Sequence, residues 1–296
     1  MTFNEARKAL SRLYDERESN EILLRLSEHL THLSRSLLLC DRDRAIAACQ
    51  NEFDAAVRRL LSSEPLQYVL GYEIFRSRRF SVSPFVLIPR PETEDLVSWV
   101  EDDFLDFSLT PSPCFADIAT GSGCIAISLA LDLFGTRPEH SDAHVLAVDI
   151  SSDALSVAQA NATSLRADVA FLQSDLLSEQ RTDNVLTAIE RLSPDAPVVL
   201  VSNPPYVTES EKTSIHPAVL DHEPHLALFV PDSDPLLFYR ALGLLASKLS
   251  RFNALYVEVN QRLADDTAAL FRALGFSDVC LRHDRFSRPR MLRVRP

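Results

Sequence analysis

The run PVVLVSN at 197–203 has the pattern of a buried strand, and it ends in Asn203, Pro204, Pro205 and Tyr206. These four residue types suit one kind of chemistry. A planar NH2 group is a poor nucleophile because its lone pair is delocalised into a carbonyl or a ring. Two acceptors, the side-chain oxygen of Asn203 and the backbone carbonyl of Pro204, could hold its two hydrogens and aim the lone pair at an electrophilic methyl group. Proline has no N–H, so Pro204 and Pro205 present acceptors without competing donors and stiffen the loop. Tyr206 offers a flat face on which a planar amide or base can stack. No general base is demanded, since positioning and desolvation beside a cationic donor lower the barrier. A turn that merely stops a strand would need one proline and no particular neighbours.

Three further clusters also follow strand patterns. After CFADI comes Ala119-Thr120-Gly121-Ser122-Gly123, where the glycines let the backbone turn tightly and approach a ligand as a helix begins. Such a turn alone is often only a turn. Asp149 ends the next strand, where a carboxylate can accept both hydroxyls of a ribose or cap the helix starting near Ser151. Asp175 follows the third, placed to accept from an adenine amino group with Leu176 against the ring, or to act as a cap. Together, at the ends of three successive strands, they are more specific than apart. The dinucleotide fingerprint G-x-G-x-x-G is not satisfied, and no Lys or Arg lies in residues 119–123 to meet a pyrophosphate. A nucleoside without phosphates therefore fits better than a nicotinamide dinucleotide, and S-adenosyl-L-methionine is the common cofactor of that kind.

The elements that must position these residues are legible from periodicity. Residues 1–70 repeat apolar side chains at helical spacing, as in Ile22, Leu23, Leu26 and Leu30, and contain no glycine before Gly71, which predicts a small helical domain. Residues 71–90 alternate and read as a hairpin connector. From 91 to 296, the strand patterns CFADIA, HVLAVDI, DVAFLQSD, PVVLVSN, ALYVEVN and SDVCLRH alternate with helical stretches at 124–134, 152–162, 236–250 and 262–273. That alternation predicts a doubly wound α/β sheet, mostly parallel. RPRMLRVR follows its strand after only a short turn, so the last strand is expected to run antiparallel.

Composition excludes several classes. The chain has 296 residues, 46% hydrophobic and 24% charged, a globular balance. Its 30 Lys and Arg stand against 42 Asp and Glu, and the net charge of -12 opposes a phosphate backbone; no direct nucleic-acid partner is expected. No stretch approaches the roughly 20 apolar residues of a membrane span, and MTFNEARKALSRLYDE lacks a signal-peptide core, so the expectation is a cytoplasmic protein, and a monomer. The five cysteines form no C-x-x-C pair and read as reduced packing residues. His216, His222, Glu223 and His225 crowd one segment, but Pro224 interrupts any helical face and H-E-x-x-H is absent, so no metal is expected. TGSGC is not a nucleophile elbow, and Ser122 is not assigned to hydrolysis. The basic stretches RRFSV and RHDRFSRPRMLRVR read first as a hairpin and a protected sheet edge, second as a binding patch.

With these residues in hand, the chain resembles the peptide chain release factor glutamine N(5)-methyltransferases over nearly its whole length. The resemblance rests on EPLQYVLGYEIF (64–75), LIPRPETEDLV (87–97), TGSGCIAISLA (120–130), AVDIS (147–151), LQSDLL (172–177), NPPY (203–206), EPHLAL (223–228) and EVNQ (258–261). NPPY is shared with adenine-N(6) DNA methyltransferases, whereas PRPETE before the glycine loop is far more specific. The resemblance implies a class I (Rossmann-like) methyltransferase sheet after a helical domain. The acceptor it implies is the glutamine amide in the Gly-Gly-Gln loop of release factors. Ala119 to Gly123 would wrap the methionine end of the cofactor, Asp149 bind the ribose and Leu176 contact the adenine. Asn203 to Tyr206 would hold the glutamine, with Arg90, Pro91 and Glu92 shaping the substrate entrance. Ala119 and Asn260 stand where the family usually has glycine, and FVPDSDPL (229–236) lacks the usual glycines, which puts cofactor affinity and loop mobility in question. Alternatives are an adenine-N(6) methyltransferase, which should carry a basic groove, a ribosomal-protein glutamine methyltransferase, or a catalytically silent module on the same scaffold.

Overall fold

The computed structural model describes residues 1–104, 111–135, 145–284 and 286–296. His144, at the start of one expected strand, and Arg285, in the basic carboxy-terminal stretch, lie outside the described residues. Contacts divide the chain into two units: Met1–Glu73 with Ile215–Glu223, and Ile74–Ser214 with Pro224–Pro296.

The first unit is helical because its apolar side chains recur every three or four residues. Helices Phe3–Leu10, Glu16–Thr31 and Gln50–Leu61 bury Phe3, Ala6 and Leu10, then Leu23 and Leu26, then Phe53, Val57 and Leu60 in one core. Thr2 and Glu5 form a capping box on the first helix. Asp15 accepts from the Glu18 N–H at the second. Gly71, at φ +78°, closes helix Leu66–Leu70 in the left-handed region. The segment Ile215–Glu223 adds helix Pro217–His222, where the His216 ring accepts from the Ala218 N–H.

Eleven strands are present among the described residues: β1 (Tyr72–Phe75), β2 (Arg78–Ser81), β3 (Cys114–Ile118), β4 (Val145–Asp149), β5 (Ala170–Gln173), β6 (Val198–Ser202), β7 (Val207–Thr208), β8 (Phe229–Val230), β9 (Phe252–Glu258), β10 (Asp278–His283) and β11 (Pro289–Arg295). Seven of them form the central sheet in the order β10-β11-β9-β6-β3-β4-β5. β5, β4, β3, β6 and β9 run parallel, and β11 is antiparallel to both its neighbours, β9 and β10. The antiparallel end of the sheet was legible from the short turn after β10.

Strands buried on both faces are apolar throughout, and successive side chains serve opposite cores. Phe115, Val199, Val201 and Tyr256 pack on one face with Leu96, Trp99 and Phe104 of helix Pro91–Phe104. Ala116, Leu200, Leu255 and Val257 pack on the other with Tyr239, Leu242 and Phe271. The helical stretch 124–134 is an α-helix only to Leu129 and continues as a π turn over Ala130–Phe134. Helices Pro91–Phe104 and Glu179–Leu192 and the short parallel pair β7–β8 have no counterpart in the elements read from periodicity.

The chain winds from β3 outward to β5 and then crosses back to β6. The strand order therefore reverses between β3 and β6, and a crevice opens there beyond their carboxyl ends. Asn161, buried in helix Ser152–Leu165, braces this edge. Its side chain accepts from the Ser81 N–H (2.8 Å) and donates to the Ser81 and Ser122 carbonyls (3.0 and 2.9 Å), tying β2 to the glycine loop. Asn161→Ala leaves the buried Ser122 carbonyl and both part-buried Ser81 backbone groups without these bonds and is expected to cost about 1–3 kcal/mol. Urea denaturation checks this, and a loss within about 0.5 kcal/mol, the range of an ordinary surface change, would contradict it.

Candidate active site

The loop after β3 is shaped by alternate residues in the left-handed region: Ala119 at φ +62°, Gly121 at +55° and Gly123 at +80°. Two carboxylates hold it. Asp117, within β3, accepts from the Thr120 hydroxyl (2.6 Å) and the Ala126 N–H (3.1 Å) through Oδ2. Asp149, at the end of β4, accepts from the Gly121 N–H through Oδ2 and from the Ser151 N–H through Oδ1, both at 2.9 Å. Burial raises the pKa of Asp149, against the pull of these backbone bonds. The Ser151 hydroxyl, not Asp149, caps the following helix at Ala154.

Beside this loop lies a cavity of about 320 Å³ at the carboxyl ends of β3, β4 and β6. Its wall contains Arg90, Ala119, Thr120, Gly121, Ser122, Asp149, Asp175, Leu176, Asn203, Pro204 and Pro205 from the sequence-based set, together with Phe85, Thr93, Ile150, Leu177, Leu226 and Phe238. Asp175 also accepts from the Leu177 N–H at 2.9 Å, so it shapes its own turn as well as the wall.

Four residues of the set are not on the wall. Gly123 packs beneath it: a Cβ there would come within 2.9 Å of the Ile127 side chain and 3.0 Å of Ala158, so this glycine permits close packing under the loop. Pro91 is the exposed first residue of helix Pro91–Phe104 and Glu92 lies in its first turn. The Tyr206 ring packs at the margin of the core, and its hydroxyl donates to Glu258 Oε1 at 2.9 Å. Burial and the Glu258 charge push that hydroxyl well above the usual phenol range.

Reasoning from motifs alone passed over two polar residues beside Asn203, Thr93 on the wall and Glu258 behind it. Thr93, 2% exposed, donates to Glu258 Oε2 at 2.8 Å and accepts from Asn203 Nδ2 at 3.1 Å. Glu258, 1% exposed, carries a pKa raised by burial, which the Thr93 and Tyr206 bonds and Arg290 oppose. Both lie inside motifs quoted above, PRPETE and EVNQ; for Glu258 the available signal was a carboxylate between Val257 and Val259 at a strand end, whereas Thr93 stands between Glu92 and Glu94 in a helix and gave no such signal. Asn260 donates to the Tyr206 carbonyl (3.1 Å) and to Glu211 (3.0 Å). Its φ is -62°, and no residue of 229–236 has a positive φ, so of the three departures from glycine only Ala119 is strained, by roughly 1–2 kcal/mol.

Among the described residues no group of three or more His, Cys, Asp or Glu is placed to hold a metal ion, and no helix is long and apolar enough to cross a membrane. Residues 2–71 match the family model of the PrmC N-terminal domain. Over 289 residues the chain is 37% identical to a release factor glutamine methyltransferase of Flavobacterium psychrophilum, spanning 97% of this chain and 95% of that relative. The chain belongs to the release factor glutamine methyltransferases. The relative from Bacteroides thetaiotaomicron is 38% identical over 288 residues, with 97% and 96% covered. Among solved structures, the hMettl16 catalytic domain in complex with a MAT2A 3′UTR hairpin superposes with a TM-score of 0.53 at 17% identity, over 73% of this chain and 74% of that one. That likeness is one of fold alone.

As a release factor glutamine methyltransferase, the chain has a pocket whose wall suits a nucleoside without phosphates. Loop 119–123 carries no cation, the ends of β4 and β5 present carboxylates, and a Cβ on Gly121 would stand in open space.

Asp117 offers a test of how the loop is held. Its Oδ1 is buried without a partner, and burial pushes its pKa up to about 7 against the Thr120 and Ala126 bonds. The folded state therefore holds this proton more tightly than the unfolded chain. The resulting stability is full below the unfolded carboxylate range, about pH 4, and is lost as pH rises through about 7. Asp117→Asn keeps an oxygen for both donors and removes the titration. Relative to wild type, it should gain stability between about pH 4 and pH 7 in urea titrations, the window set by those values; a constant difference would contradict the assignment.

Proposed function

We propose that this chain transfers the methyl group of S-adenosyl-L-methionine to the side-chain amide nitrogen of the glutamine in the Gly-Gly-Gln loop of peptide chain release factors, in the cytoplasm. The observation that carries this reading is the state of Asn203. It stands on the cavity wall with Nδ2 donating to Thr93, and among the described residues no donor reaches its Oδ1. An amide held in this way is an acceptor awaiting an N–H. The names of the relatives support the substrate.

When bound, S-adenosylmethionine supplies a methyl group made electrophilic by its sulfonium. The chain's own residues do the rest by placement. Asp149 accepts from the ribose hydroxyls with the lone pairs that Gly121 and Ser151 leave, Asp175 and Leu176 meet the adenine, and residues 119–123 receive the methionine end. Asn203 Oδ1 and the Pro204 carbonyl take the two hydrogens of the substrate NH2, so that its lone pair is directed out of the amide plane. Neither proline can offer an N–H in competition. Tyr206 acts through its hydroxyl, anchoring the loop to Glu258. Arg90, with Pro91 and Glu92 behind it, flanks the entrance. Phe85, Ile150, Leu177 and Leu226 are exposed apolar residues of the wall that exclude water once a substrate loop covers them. Residues 1–70 serve as the docking domain for the protein substrate and 71–90 as a connector to the methyltransferase domain, 91–296.

Asn203→Ala removes the oriented acceptor. It should lower kcat on a purified release factor by about 100-fold, as loss of one preorganised polar contact does, with cofactor affinity by calorimetry nearly unchanged. Asn203→Asp keeps an acceptor but adds a negative charge beside a cationic donor. It should bind the cofactor at least as tightly as wild type and still turn over slowly. A near-normal kcat in the Ala variant would mean that NPPY only ends a strand.

A further inference from the structure

A primary amide has a donor end and an acceptor end that exchange when it turns by 180°. Both ends have nearly the same shape, so packing does not choose between them, and the choice falls to hydrogen-bond polarity. Among the described residues Asn203 meets one protein group through this amide, the Thr93 hydroxyl at 3.1 Å.

That hydroxyl is itself constrained. It has one hydrogen, and Glu258 Oε2 takes it at 2.8 Å. The other carboxylate oxygen takes the hydrogen of Tyr206 at 2.9 Å. Glu258 is buried at the end of β9, off the cavity wall, and as a carboxylate it has no hydrogen to return. With its own hydrogen committed, Thr93 can only accept, and what it accepts from Asn203 is the NH2. The reversed amide would set Oδ1 against Thr93 Oγ1 with no hydrogen between them. An unmade buried bond of this kind disfavours the reversed state by roughly 10- to 100-fold.

We infer that Thr93 and Glu258 are positioning residues: through two hydrogen bonds of fixed direction they turn the Asn203 oxygen, rather than its NH2, toward the substrate. The inference rests on the proposed role of Asn203 as acceptor. It also accounts for Tyr206, since one carboxylate holds the hydroxyls that steer the first residue of NPPY and fix the last. Neither Thr93 nor Glu258 touches the reacting atoms.

The experiment is a kinetic cycle on the full chain with a purified release factor and S-adenosylmethionine. Thr93→Val keeps shape and removes the hydroxyl; Thr93→Ser keeps the hydroxyl. The expected result is a loss in kcat of about 10- to 100-fold for Val, with cofactor affinity unchanged, and recovery of most of that loss in Ser. Glu258→Gln, which introduces an N–H where two hydroxyls must donate, should fall in the same direction. A residue that only supported the fold would slow an already crippled enzyme further. Positioning predicts instead that Thr93→Val adds no loss on top of Asn203→Ala. Calorimetry with S-adenosylmethionine reports whether each variant is folded, and Thr93→Ala serves if the Val variant is not. Independent, multiplying losses in the double variant, or Thr93→Val at the wild-type rate while Asn203→Ala is slow, would overturn this inference alone. A wild-type rate for Asn203→Ala would remove the acceptor role on which it rests.

Discussion

A carboxylate taken out of water at the end of a strand must be met by donors, and three such carboxylates, two buried and one half-buried, organise the edge of the sheet that carries the candidate site. Asp117 in β3, Asp149 at the end of β4 and Glu258 at the end of β9 are each held by two hydrogen bonds from neighbouring loops and the first turns of helices. Each bond is directional and the charge behind it is costly to leave unmet, so the loops are held in one conformation. Asp117 and Asp149 shape residues 119–126 into the turn that floors the cavity. Glu258 does the same for Asn203 and Tyr206 on the other side of the switch point. The chemistry assigned to the pocket is almost wholly placement, and these carboxylates supply the rigidity it needs.

Departures from the family pattern separate under the same physics. Asn260 occupies an ordinary extended conformation and donates to the Tyr206 carbonyl and Glu211, so its side chain adds a brace where a glycine would leave none. The glycine-poor stretch 229–236 needs no left-handed residue. Ala119 alone sits at a positive φ, on the cavity wall, and is kept there by the hydrogen bonds on either side of it.

Much of this was legible in the sequence because it depends on local pattern. Helical spacing marked the helices before Gly71, though not the segment Ile215–Glu223 that clusters with them, and strand–helix alternation marked the parallel sheet. The short turn before residue 289 marked the antiparallel end. Glycine, aspartate and NPPY clusters at strand ends located ten residues of the cavity wall, because strands in such a sheet deliver their last residues to one edge. What could not be read was which side chain turns away from that edge. Gly123 and Tyr206 look equivalent to Gly121 and Asn203 along the chain, yet one packs against Ala158 and Ile127 and the other reaches back to Glu258. Thr93 and Glu258 are 165 residues apart, and no spacing rule joins them; only the closing of the sheet does.

The central claim, that an oriented amide acceptor serves methyl transfer to one glutamine, is tested most directly by where the methyl group lands. A purified release factor incubated with this protein and isotopically labelled S-adenosylmethionine, then digested and mapped by mass spectrometry, should carry one labelled methyl group on the side-chain nitrogen of the Gly-Gly-Gln glutamine. A release factor left unlabelled, or a label on any other residue, would contradict the account.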